Sequence, residues 1–424
     1  MKITVIGLGK LGLPLAVQFA SKDNFVVGLD IDQEWVDKIN LGQTPISEEL
    51  DLDWKLREVV NSGNLKGVTD PKYAITGAEV VVVTVPLITS ENGEADFSII
   101  DSVTELIGNH ITEGTLVCYE TTVPIGSTRA RFGRKIQQLS GLKIGEEIFV
   151  VFSPERVLTG RVFIDLRKYP KLVGGLTENC TLKGVEFYRL VLDFDLRPDL
   201  KVPNGIWGLE NAEAAEFVKL AETTYRDVNI GLANQFAKHA QELGLNIKEI
   251  IEAANSQVYS HIHEPGISVG GHCIPVYPYL YLLGDDDANI VKESRKINES
   301  MPEFFVKILM DATGSLRDKK ILVLGATYRP GVKELAYSGV FRLKELLIEY
   351  GALPFFLDPL LTEVELNAME LPPGDLDDQI DFVILHTGHE SFNLLNLSKM
   401  KNLKFVIDGR NFFGKGFGMI DYKS

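Results

Sequence analysis

Buried-strand and helical patterns alternate along the first 150 residues. Short apolar runs occur at Lys2–Ile6, Phe25–Leu29, 79–85, 115–120 and 148–152. Helical patterns separate them, for example over 97–107 and 128–139. Continuous apolar runs of this kind indicate strands that are covered on both faces, which is typical of parallel sheets. The pattern therefore predicts an α/β domain with a doubly wound parallel sheet.

The middle of the chain has a helical pattern. A long helix is predicted over 211–243, because apolar residues recur at every third or fourth position and Gly244 follows as a C-cap. The apolar positions are Ala214, Phe217, Ala221, Tyr225, Val228, Leu232, Phe236 and Ala240. A second helix is predicted over Ile247–Asn255. We expect most of the apolar stripe to be core or a subunit interface, and the protein to be a homodimer formed through the long helix.

A second α/β pattern begins near Arg317. Strands are predicted at 320–325, Leu353–Leu357, 381–386 and 404–407, with a helix over 339–350, whereas 285–287 and 372–378 are expected to be solvated loops. This part has no glycine fingerprint, so we expect it to bind something other than a dinucleotide. The predicted domains are 1–204, 205–314 and 315–424. Two Rossmann-like α/β domains thus flank a helical middle, and the cleft between them is the default ligand site.

Composition narrows the class of protein. The 424 residues carry a net charge of −16, which argues against a nucleic-acid binder, because phosphate backbones are bound by clustered Lys and Arg. The three cysteines, Cys118, Cys180 and Cys273, are too few and too scattered for a disulfide framework or a zinc site. The longest apolar run, 80–88, is too short to span a membrane, and no signal-peptide pattern precedes the first strand. We expect a soluble cytoplasmic protein without a metal.

A glycine-rich segment joins the first predicted strand to the first helix. The second strand ends in Asp30, and the segment itself reads Gly7-Leu8-Gly9-Lys10-Leu11-Gly12. In this arrangement Gly7 makes a tight turn, Gly9 admits a pyrophosphate against the backbone, and Gly12 allows close packing of helix and strand. The helix N-terminus then faces the phosphates. Since Asp30 can accept hydrogen bonds from the adenosine ribose, the pattern predicts NAD as the cofactor.

Polar residues follow three further strands. They are Thr84 before Val85-Pro86, Thr122 within Thr121–Pro124, and Glu155 and Arg156 within Ser153–Arg156. Ligands bind beyond the carboxyl ends of strands in a doubly wound sheet. Each segment alone is also typical of a turn that a hydroxyl caps. Their common position favours a site, with Thr84 and Thr122 near the cofactor.

One cysteine lies in an unusual segment, Gly270-Gly271-His272-Cys273-Ile274-Pro275. Two adjacent glycines permit a turn and a close approach to a ligand, and Pro275 can begin a helix. A thiol near a helix N-terminus or a cation has a lowered pKa and can act as a nucleophile. The alternative is a buried structural cysteine beside a tight turn.

Two polar residues accompany the apolar stripe of the long helix. Lys219 and Thr223 are one turn apart and can reach one spot. The alternative for Lys219 is a side chain that extends into solvent.

Together the motifs resemble the nucleotide-sugar 6-dehydrogenase family over the whole chain. They are GLGKLGLPLA at Gly7, ETTVPIGST at Glu120, SPERVLTG at Ser153, KLAETTYRDVN at Lys219, GGHCIP at Gly270, LGATYRPGVKELAYS at Leu324 and DGRN at Asp408. The family has an NAD domain, a helical dimer-forming middle and a C-terminal UDP domain. The resemblance implies oxidation of the C6 alcohol of a UDP-sugar to a carboxylate with two NAD and one water. The histidine of GGHC is more similar to the branch that acts on 2-acetamido sugars than to the UDP-glucose enzymes.

The resemblance also implies roles for individual residues. Cys273 would capture the aldehyde as a thiohemiacetal and carry the thioester formed from it. Glu155 would be the base for hydrolysis, Lys219 would stabilise the oxyanion and lower the thiol pKa, and Thr122 would orient a water or the substrate. The substrate contacts implied are Glu155, Arg156, Lys219, Gly270, Arg329, Lys333 and Arg410.

Several positions depart from the family pattern. Tyr277 stands where an Asp usually helps to activate the first water, and tyrosine is a poor base at neutral pH. Lys219, His261 and His263 are alternative bases. Thr223 stands where an Asn usually donates to the oxyanion, and its hydroxyl has a shorter reach. In the UDP domain Arg329 replaces a common Lys, and Ala336 replaces a common Arg.

The leading hypothesis is four-electron oxidation of a UDP-N-acetylhexosamine to a uronic acid for polysaccharide or glycan synthesis, with UDP-glucose as the alternative substrate. A second hypothesis is a catalytically weakened protein that binds NAD and a nucleotide sugar. A third is a single-step NAD alcohol dehydrogenase acting on another phosphorylated substrate, with Cys273 structural. For Arg329 and Arg410 the alternative to a ligand contact is a surface salt bridge.

Overall fold

Each of two units contains one large sheet. The computed structural model describes residues 1–46, 48–90, 93–376, 379–395, 397, 400–413 and, for the backbone alone, 418–421. The units are Met1–Ala221 and Glu222–Ser424. The three-domain division stays a prediction, because the long central helix begins in the first unit and ends in the second. Of the two predicted loops, 285–287 forms a turn, and the last two residues of 372–378 lie outside the described residues.

The first unit contains an eight-stranded sheet and a small antiparallel hairpin. The sheet strands are β1 (Lys2–Ile6), β2 (Phe25–Leu29), β3 (Leu65–Val68), β4 (Val80–Val83), β7 (Leu116–Tyr119), β8 (Phe149–Phe152), β9 (Lys171–Gly175) and β10 (Ile206–Gly208), and the hairpin pairs β5 (Ile88–Thr89) with β6 (Ala95–Asp96). Their order is β10-β9-β8-β7-β4-β1-β2-β3. The chain therefore reverses direction across the sheet between β1 and β4, which is where ligands bind in such folds.

The predicted parallel sheet is found with one departure. All neighbouring strands are parallel except β8 and β9, which pair antiparallel through Val151–Gly175 and Phe152–Gly174. Residues of β4 and β7 are buried throughout, as their continuous apolar sequences predict for strands covered on both faces. β9 is buried throughout like its parallel neighbours, so its apolar sequence does not indicate its orientation.

Helices cover both faces of this sheet. They are α1 (Gly12–Ala20), α2 (Gln33–Asn40), α3 (Leu52–Asn61), α4 (Pro71–Ile75), α5 (Ser98–His110), α6 (Arg134–Ser140, preceded by a π-helical turn at Thr128–Gly133), α7 (Val162–Lys168) and α8 (Glu178–Val191). Side-chain caps begin several of them. Asp32 accepts the backbone N–H of Trp35 at the start of α2, and Thr177 accepts that of Cys180 at the start of α8.

The long helix α9 (Ala212–Glu242) agrees with its prediction within one residue at each end. Gly244 follows it with φ +68°, as expected for a C-cap. The predicted apolar stripe is largely exposed, however: Phe217, Tyr225, Leu232 and Phe236 are 40–56% accessible. The opposite face supplies the core residues, for example Ala233 and Ala237. Helical periodicity identified the stripe but did not tell which face the chain itself covers.

The second unit combines helices with a five-stranded sheet. Its helices are α10 (Ile247–Asn255), α11 (Tyr277–Leu282), α12 (Asn289–Thr313), α13 (Val340–Glu349) and α14 (Glu363–Ala368), with a 3-10 turn at Glu390–Leu394. The strands are β11 (Lys320–Leu324), β12 (Leu353–Leu357), β13 (Phe382–Leu385), β14 (Phe405–Asp408) and β15 (Gly418–Asp421), in the order β12-β11-β13-β14-β15. Only the β14–β15 pair among these is antiparallel.

One hydrophobic core joins the helices and the sheet of this unit. Ile251 of α10, Phe305 of α12 and Val323 of β11 belong to the same buried cluster. The sequence did not reveal α12, which runs for 25 residues with Pro302 inside it. Pro275 does not begin a helix; α11 begins two residues later, with Pro278 in its first turn. No helix within the described part of the chain is both long enough and apolar enough to cross a membrane.

Candidate active site

The glycine segment forms a tight turn at the carboxyl end of β1. Gly7 has φ +89°, a conformation that glycine adopts readily, and its N–H donates to the carbonyl of Leu29 at 2.9 Å. The hydroxyl of Thr84 donates to the carbonyl of Gly7 at 2.8 Å. A Cβ on Gly12 would lie 1.8 Å from that carbonyl oxygen and 2.5 Å from the Thr84 hydroxyl. Thr84 and Gly12 therefore both act on the shape of the turn.

Gly9 lies at an open place in the same turn. An added Cβ at Gly9 would meet no protein atom within 4 Å. The Asp30 carboxylate accepts the N–H of Leu8 at 2.7 Å and that of Asp32 at 3.1 Å, so the acid at the end of β2 is held beside the turn. Leu11 is the N-cap residue of α1, and the N–H of Leu13 in the first turn of that helix donates to the carbonyl of Gly9 at 3.1 Å, so α1 begins directly beside Gly9. This arrangement fits the pyrophosphate and ribose of a dinucleotide.

Lys10 extends from the turn toward another loop. Its ammonium lies 3.8 Å from a carboxylate oxygen of Glu48, and both side chains are accessible. An ion pair of this kind contributes little to stability. Lys10 therefore carries positive charge beside the open edge of the turn, and its contact with the cofactor stays a prediction from the sequence.

A buried polar cluster lies beyond the carboxyl ends of β7 and β8, at the amino end of β9. Lys171, the first residue of β9, donates to Glu155 at 2.7 Å and to Glu120 at 2.9 Å. Tyr188 donates its hydroxyl hydrogen to the other carboxylate oxygen of Glu120 at 2.6 Å. Thr122, two residues beyond Glu120, is also buried. The sequence identified Glu155 and Thr122 but missed Lys171, Tyr188 and the part played by Glu120.

Lys219 reaches the same segment from α9. Its ammonium donates to the backbone carbonyl of Glu155 at 2.7 Å, and the residue is buried rather than extended into solvent. Arg156 turns the other way, where its guanidinium donates to the carbonyl of Pro170 at 3.2 Å and lies over the ring of Tyr169. The first unit thus brings the Lys219 ammonium against the backbone of Glu155, and the catalytic roles of Thr122, Glu155 and Lys219 stay predictions.

The cysteine segment lies in the second unit. Cys273 is a half-buried free thiol, and Gly271 before it has φ +86°. The N–H of Gly271 donates to the carbonyl of Ala336 at 2.9 Å, and a Cβ on Gly270 would lie 2.6 Å from the Cβ of Tyr328. Both glycines are therefore needed for close packing within this unit. Cys118 and Cys180, in contrast, are buried in the first unit.

The residues that depart from the family pattern occupy ordered positions. Tyr277 begins α11, and its N–H donates to the carbonyl of Cys273 at 3.0 Å. Thr223 is buried on α9. Of the two alternative bases in this unit, His261 is exposed, whereas His263 packs edge-on against Tyr225. The backbone of Tyr277 thus supports the cysteine turn.

Arg410 lies at the carboxyl end of β14. Its guanidinium donates to the carbonyl of His386 at 2.9 Å and to the hydroxyl of Ser268 at 3.4 Å. Burial lowers the pKa of Arg410 to about 10, so it remains a cation at neutral pH. Asn411 beside it has a buried amide oxygen without a hydrogen-bond partner in the described structure. Both residues line a cleft together with residues of α10, and the contacts of Arg410 do not match a surface salt bridge.

Arg329 and Lys333 have other surroundings. Arg329 donates to the hydroxyl of Tyr328 at 2.9 Å. Lys333 pairs with Glu365 at 2.5 Å on the surface, where this lysine lowers the pKa of Glu365 to about 2. Both cations lie in the loop after β11, between the strand and α13, at the carboxyl edge of the second sheet.

An unpredicted polar network fills the middle of that edge. Asp358, after β12, accepts the N–H groups of Ala326 and Thr327 at 2.7 and 2.9 Å, and His389 at 3.2 Å. These contacts hold the pKa of Asp358 well below its usual range. His386 bonds Ser268 at 2.9 Å, and burial lowers its pKa to about 3. The run HTGH directly after a buried strand was the available signal.

Comparison with known proteins assigns most of the chain to one family. Residues 1–192 match the NAD binding domain, 213–300 the central domain and 322–415 the UDP binding domain of the UDP-glucose/GDP-mannose dehydrogenase family. A UDP-N-acetyl-D-mannosamine dehydrogenase from Pyrococcus horikoshii is 35% identical, over 97% of this chain and 96% of its own length. An NDP-N-acetyl-D-galactosaminuronic acid dehydrogenase from Ralstonia nicotianae is 30% identical, over 96% and 95%.

Solved structures agree with this assignment. The UDP-N-acetyl-mannosamine dehydrogenase Cap5O from Staphylococcus aureus superimposes with a TM-score of 0.83 at 30% identity, over 98% of this chain and 96% of that chain. The glycine turn with its open Gly9 and adjacent Asp30 lies within the matched NAD binding domain, and Arg410 lies within the matched UDP binding domain. The chain therefore belongs to the UDP-glucose/GDP-mannose dehydrogenase family and is an NAD-dependent nucleotide-sugar dehydrogenase.

Proposed function

We propose that the protein oxidises the C6 hydroxymethyl group of a UDP-N-acetylhexosamine to a carboxylate. The observation that carries the proposal is the half-buried free thiol of Cys273, in a two-glycine turn that packs against the UDP-domain loop at Ala336. The printed names of the relatives support a 2-acetamido sugar, since they describe dehydrogenases of UDP-N-acetylmannosamine and of an N-acetylgalactosaminuronic acid. UDP-glucose is the alternative substrate.

The proposed reaction passes through a covalent intermediate on the protein. NAD, bound at the glycine turn, supplies the hydride acceptor for each of two oxidations. Once the alcohol has become an aldehyde, the Cys273 thiolate adds to its carbonyl carbon and forms a thiohemiacetal. Loss of the second hydride leaves a thioester. Water then adds to the thioester carbon and the carbon–sulfur bond breaks, which releases the carboxylate and restores the thiolate.

Side chains of the chain have distinct tasks in this scheme. Lys219 stabilises the oxyanion and favours the thiolate form of Cys273. Glu155 accepts a proton from the hydrolytic water, and Thr122 orients that water or the sugar. Thr223 supplies a second, shorter oxyanion donor, and Tyr277 can donate a hydrogen bond but does not act as the first base.

The UDP moiety is assigned to the second unit. Arg410 is the best supported contact, because its hydrogen bonds described above go to neutral oxygens and leave its charge available to a diphosphate. Arg329 and Lys333 are further cations in the loop after β11, and Lys333 would exchange its surface pairing with Glu365 for the ligand. Gly270 contributes backbone space beside Tyr328, and Arg156 remains a proposed sugar contact.

The test is a panel of UDP-sugars with NAD, scored as NADH formed per sugar consumed. The proposal predicts a ratio of two with a UDP-N-acetylhexosamine and lower activity with UDP-glucose. Cys273→Ser should reduce the ratio to one or stop turnover. Cys180→Ser is the matched control, because Cys180 is a buried thiol that bonds Thr177 and should leave the ratio unchanged. A ratio near one for the wild type, or equal behaviour of the two variants, contradicts the covalent route.

A weakened binding protein is the second candidate function. It is favoured by Tyr277, Thr223 and Ala336, each of which replaces a residue that the family commonly uses. It predicts that NAD and UDP-sugars raise the melting temperature although no NADH forms. It also predicts that a thiol reagent does not label Cys273 at neutral pH.

The exposed apolar stripe of α9 leads us to propose a homodimer. Tyr225, Leu232 and Phe236 present adjacent apolar surface on one helix face, a pattern that is typical of subunit interfaces. Replacing Leu232 and Phe236 together by Glu should convert a dimer to a monomer in light scattering. A wild-type monomer would contradict the proposal. The free cysteines fit a cytoplasmic enzyme, and the uronic acid product fits a precursor of surface polysaccharide or glycan.

A further inference from the structure

The cluster of Glu120, Lys171 and Glu155 contains two carboxylates and one cation. The Lys171 ammonium lies 2.7 Å from Glu155 Oε2 and 2.9 Å from Glu120 Oε2. The Lys171 side chain is 4% accessible, and those of Glu120 and Glu155 are 0% and 8% accessible. One lysine therefore connects two carboxylates in a place from which water is nearly excluded.

The remaining carboxylate oxygens are also bonded. Glu120 Oε1 accepts the hydroxyl of Tyr188 at 2.6 Å, and Glu155 Oε1 accepts the N–H of Arg156 at 2.9 Å. Tyr188 additionally lies beneath the Lys171 ammonium, 4.8 Å from ring centre to nitrogen. These contacts fix both carboxylates relative to Lys171. The titratable and charged groups that face the cluster are Cys118, Tyr188, Lys171, Arg156 and Lys219.

The charges of the cluster do not balance when all three groups are ionised. Two carboxylates and one ammonium leave one negative charge among these three buried groups, where a surplus charge is unfavourable, and the nearby Lys219 ammonium is bonded to the backbone carbonyl of Glu155. One bound proton removes the surplus. Burial raises the pKa of Glu120 to about 7, although Lys171 opposes this effect. For Glu155 burial is outweighed by Lys171 and the N–H of Arg156, which hold its pKa below the usual range.

Glu155 is thus a weak base if it acts alone. A carboxylate that a lysine already stabilises gains little by accepting a proton from water. Glu120 is the place in the cluster where a proton is most stable, and both acids contact the same ammonium. Lys171 can give one of its protons to Glu120 as it receives the proton held by Glu155. The net change is transfer of one proton from Glu155 to Glu120, with Lys171 unchanged.

We propose that Glu120 and Lys171 are positioning residues that make Glu155 an effective base, Glu120 storing the proton that Glu155 takes from the hydrolytic water. This inference rests on the proposed role of Glu155 in thioester hydrolysis. Water gives one proton to Glu155 and its hydroxide to the thioester carbon, and the proton moves through Lys171 to Glu120. The proton returns by the same route to solvent after the carboxylate product leaves. Neither residue touches the substrate.

The first experiment measures the hydrolysis step itself in Glu120→Gln. Excess enzyme, NAD and a UDP-N-acetylhexosamine are mixed, quenched in acid and analysed by mass spectrometry for the acylated Cys273 peptide. In this variant Lys171 and Glu155 form a neutral pair, so the fold is kept while the proton store is lost. We expect the thioester to decay about 10–100-fold more slowly at pH 7.5. Burial raises the pKa of Glu120 to about 7, so we expect the rate of thioester decay in the wild type to fall below about that pH. In Glu120→Gln this fall should be absent.

Glu216→Gln is the matched control. Glu216 is another buried acid of this unit whose pKa burial raises to about 7, but it bonds Gly126 and Thr128 rather than Lys171. Its replacement should leave the pH profile of thioester decay unchanged. If the two variants share one profile, or if Glu120→Gln keeps the wild-type limb, the proposal is wrong.

The second experiment does not depend on activity. Infrared difference spectra between the wild type and Glu120→Gln, recorded from pH 5 to 9, should show a protonated carboxyl band that titrates near pH 7. If that band is absent, Glu120 does not hold a proton near neutral pH, and the proposal is wrong whatever the kinetics show. A wild type that oxidises no UDP-sugar, or that forms no thioester, instead contradicts the proposed function, and the infrared titration then decides the shared proton by itself.

Discussion

Two alanine substitutions in the glycine turn should separate folding from cofactor binding. In Gly12→Ala the new Cβ would lie 1.8 Å from the Gly7 carbonyl oxygen, where carbon–oxygen contacts need at least about 3.3 Å. The atoms to be displaced are backbone in a turn with φ +89° at Gly7, so we place the destabilisation at about 3 kcal/mol, the upper end for overpacking. For a unit of this size that lowers the melting temperature by about 6–12 °C.

Gly9→Ala is the matched substitution. Its Cβ meets no protein atom within 4 Å, so the free energy of unfolding should change by less than about 0.5 kcal/mol. The Cβ would instead occupy space that the pyrophosphate needs, and the Kd for NAD should rise at least about tenfold, equivalent to about 1.4 kcal/mol. Calorimetric melting gives the first quantity and titration calorimetry with NAD the second. A Gly12→Ala protein that melts like the wild type would refute the predicted clash with the Gly7 carbonyl. Unchanged NAD affinity in Gly9→Ala would refute the placement of the pyrophosphate beside Gly9.

Three further outcomes are expected. Burial lowers the pKa of His386 to about 3, so below about pH 6.5 the unfolded chain binds a proton at this residue that the folded chain does not. The free energy of unfolding therefore falls as the pH drops from about 6.5 to about 3. In His386→Gln the urea midpoint should fall less over that range. Arg410→Met should weaken UDP binding at least about tenfold in calorimetry and leave NAD affinity unchanged; equal loss for both nucleotides would contradict its assignment. Lys171→Met should lower the melting temperature more than Glu120→Gln, since it leaves two buried carboxylates unpaired.

Much of the fold could be predicted from local pattern. Short apolar runs predicted β1, β2 and β12 with their observed bounds, and the helix α10 was also predicted with its observed bounds. Local pattern carries no information about long-range choices, which is why the antiparallel pairing of β9 was missed. It also does not identify the covered face of a helix, and the stripe on α9 was therefore ambiguous between core and subunit interface.

The site divides in the same way. Gly7 to Gly12 and Asp30 belong to one continuous strand–turn–helix–strand unit, so their spacing alone predicts how they meet. Lys171 meets Glu120 across 51 residues and has no motif of its own. From the sequence alone, a lysine at the start of an apolar strand is expected to lie in solvent, and only the sheet order shows that Lys171 is buried between two acids. Buried ion pairs between distant segments thus escape a reading based on spacing.

An aspartate follows the second strand of each sheet, Asp30 after β2 and Asp358 after β12, and the two have different hydrogen-bond partners. This difference separates the binding sites of the two nucleotides. Asp30 accepts one N–H of the glycine turn, that of Leu8, and borders the open place at Gly9. The Asp358 carboxylate accepts the N–H groups of both Ala326 and Thr327 and also contacts His389. Because those amides are already engaged, the second turn cannot cradle a dinucleotide pyrophosphate. Abundant cellular NAD should therefore not compete with the nucleotide sugar, and saturation with one ligand would leave the other site free.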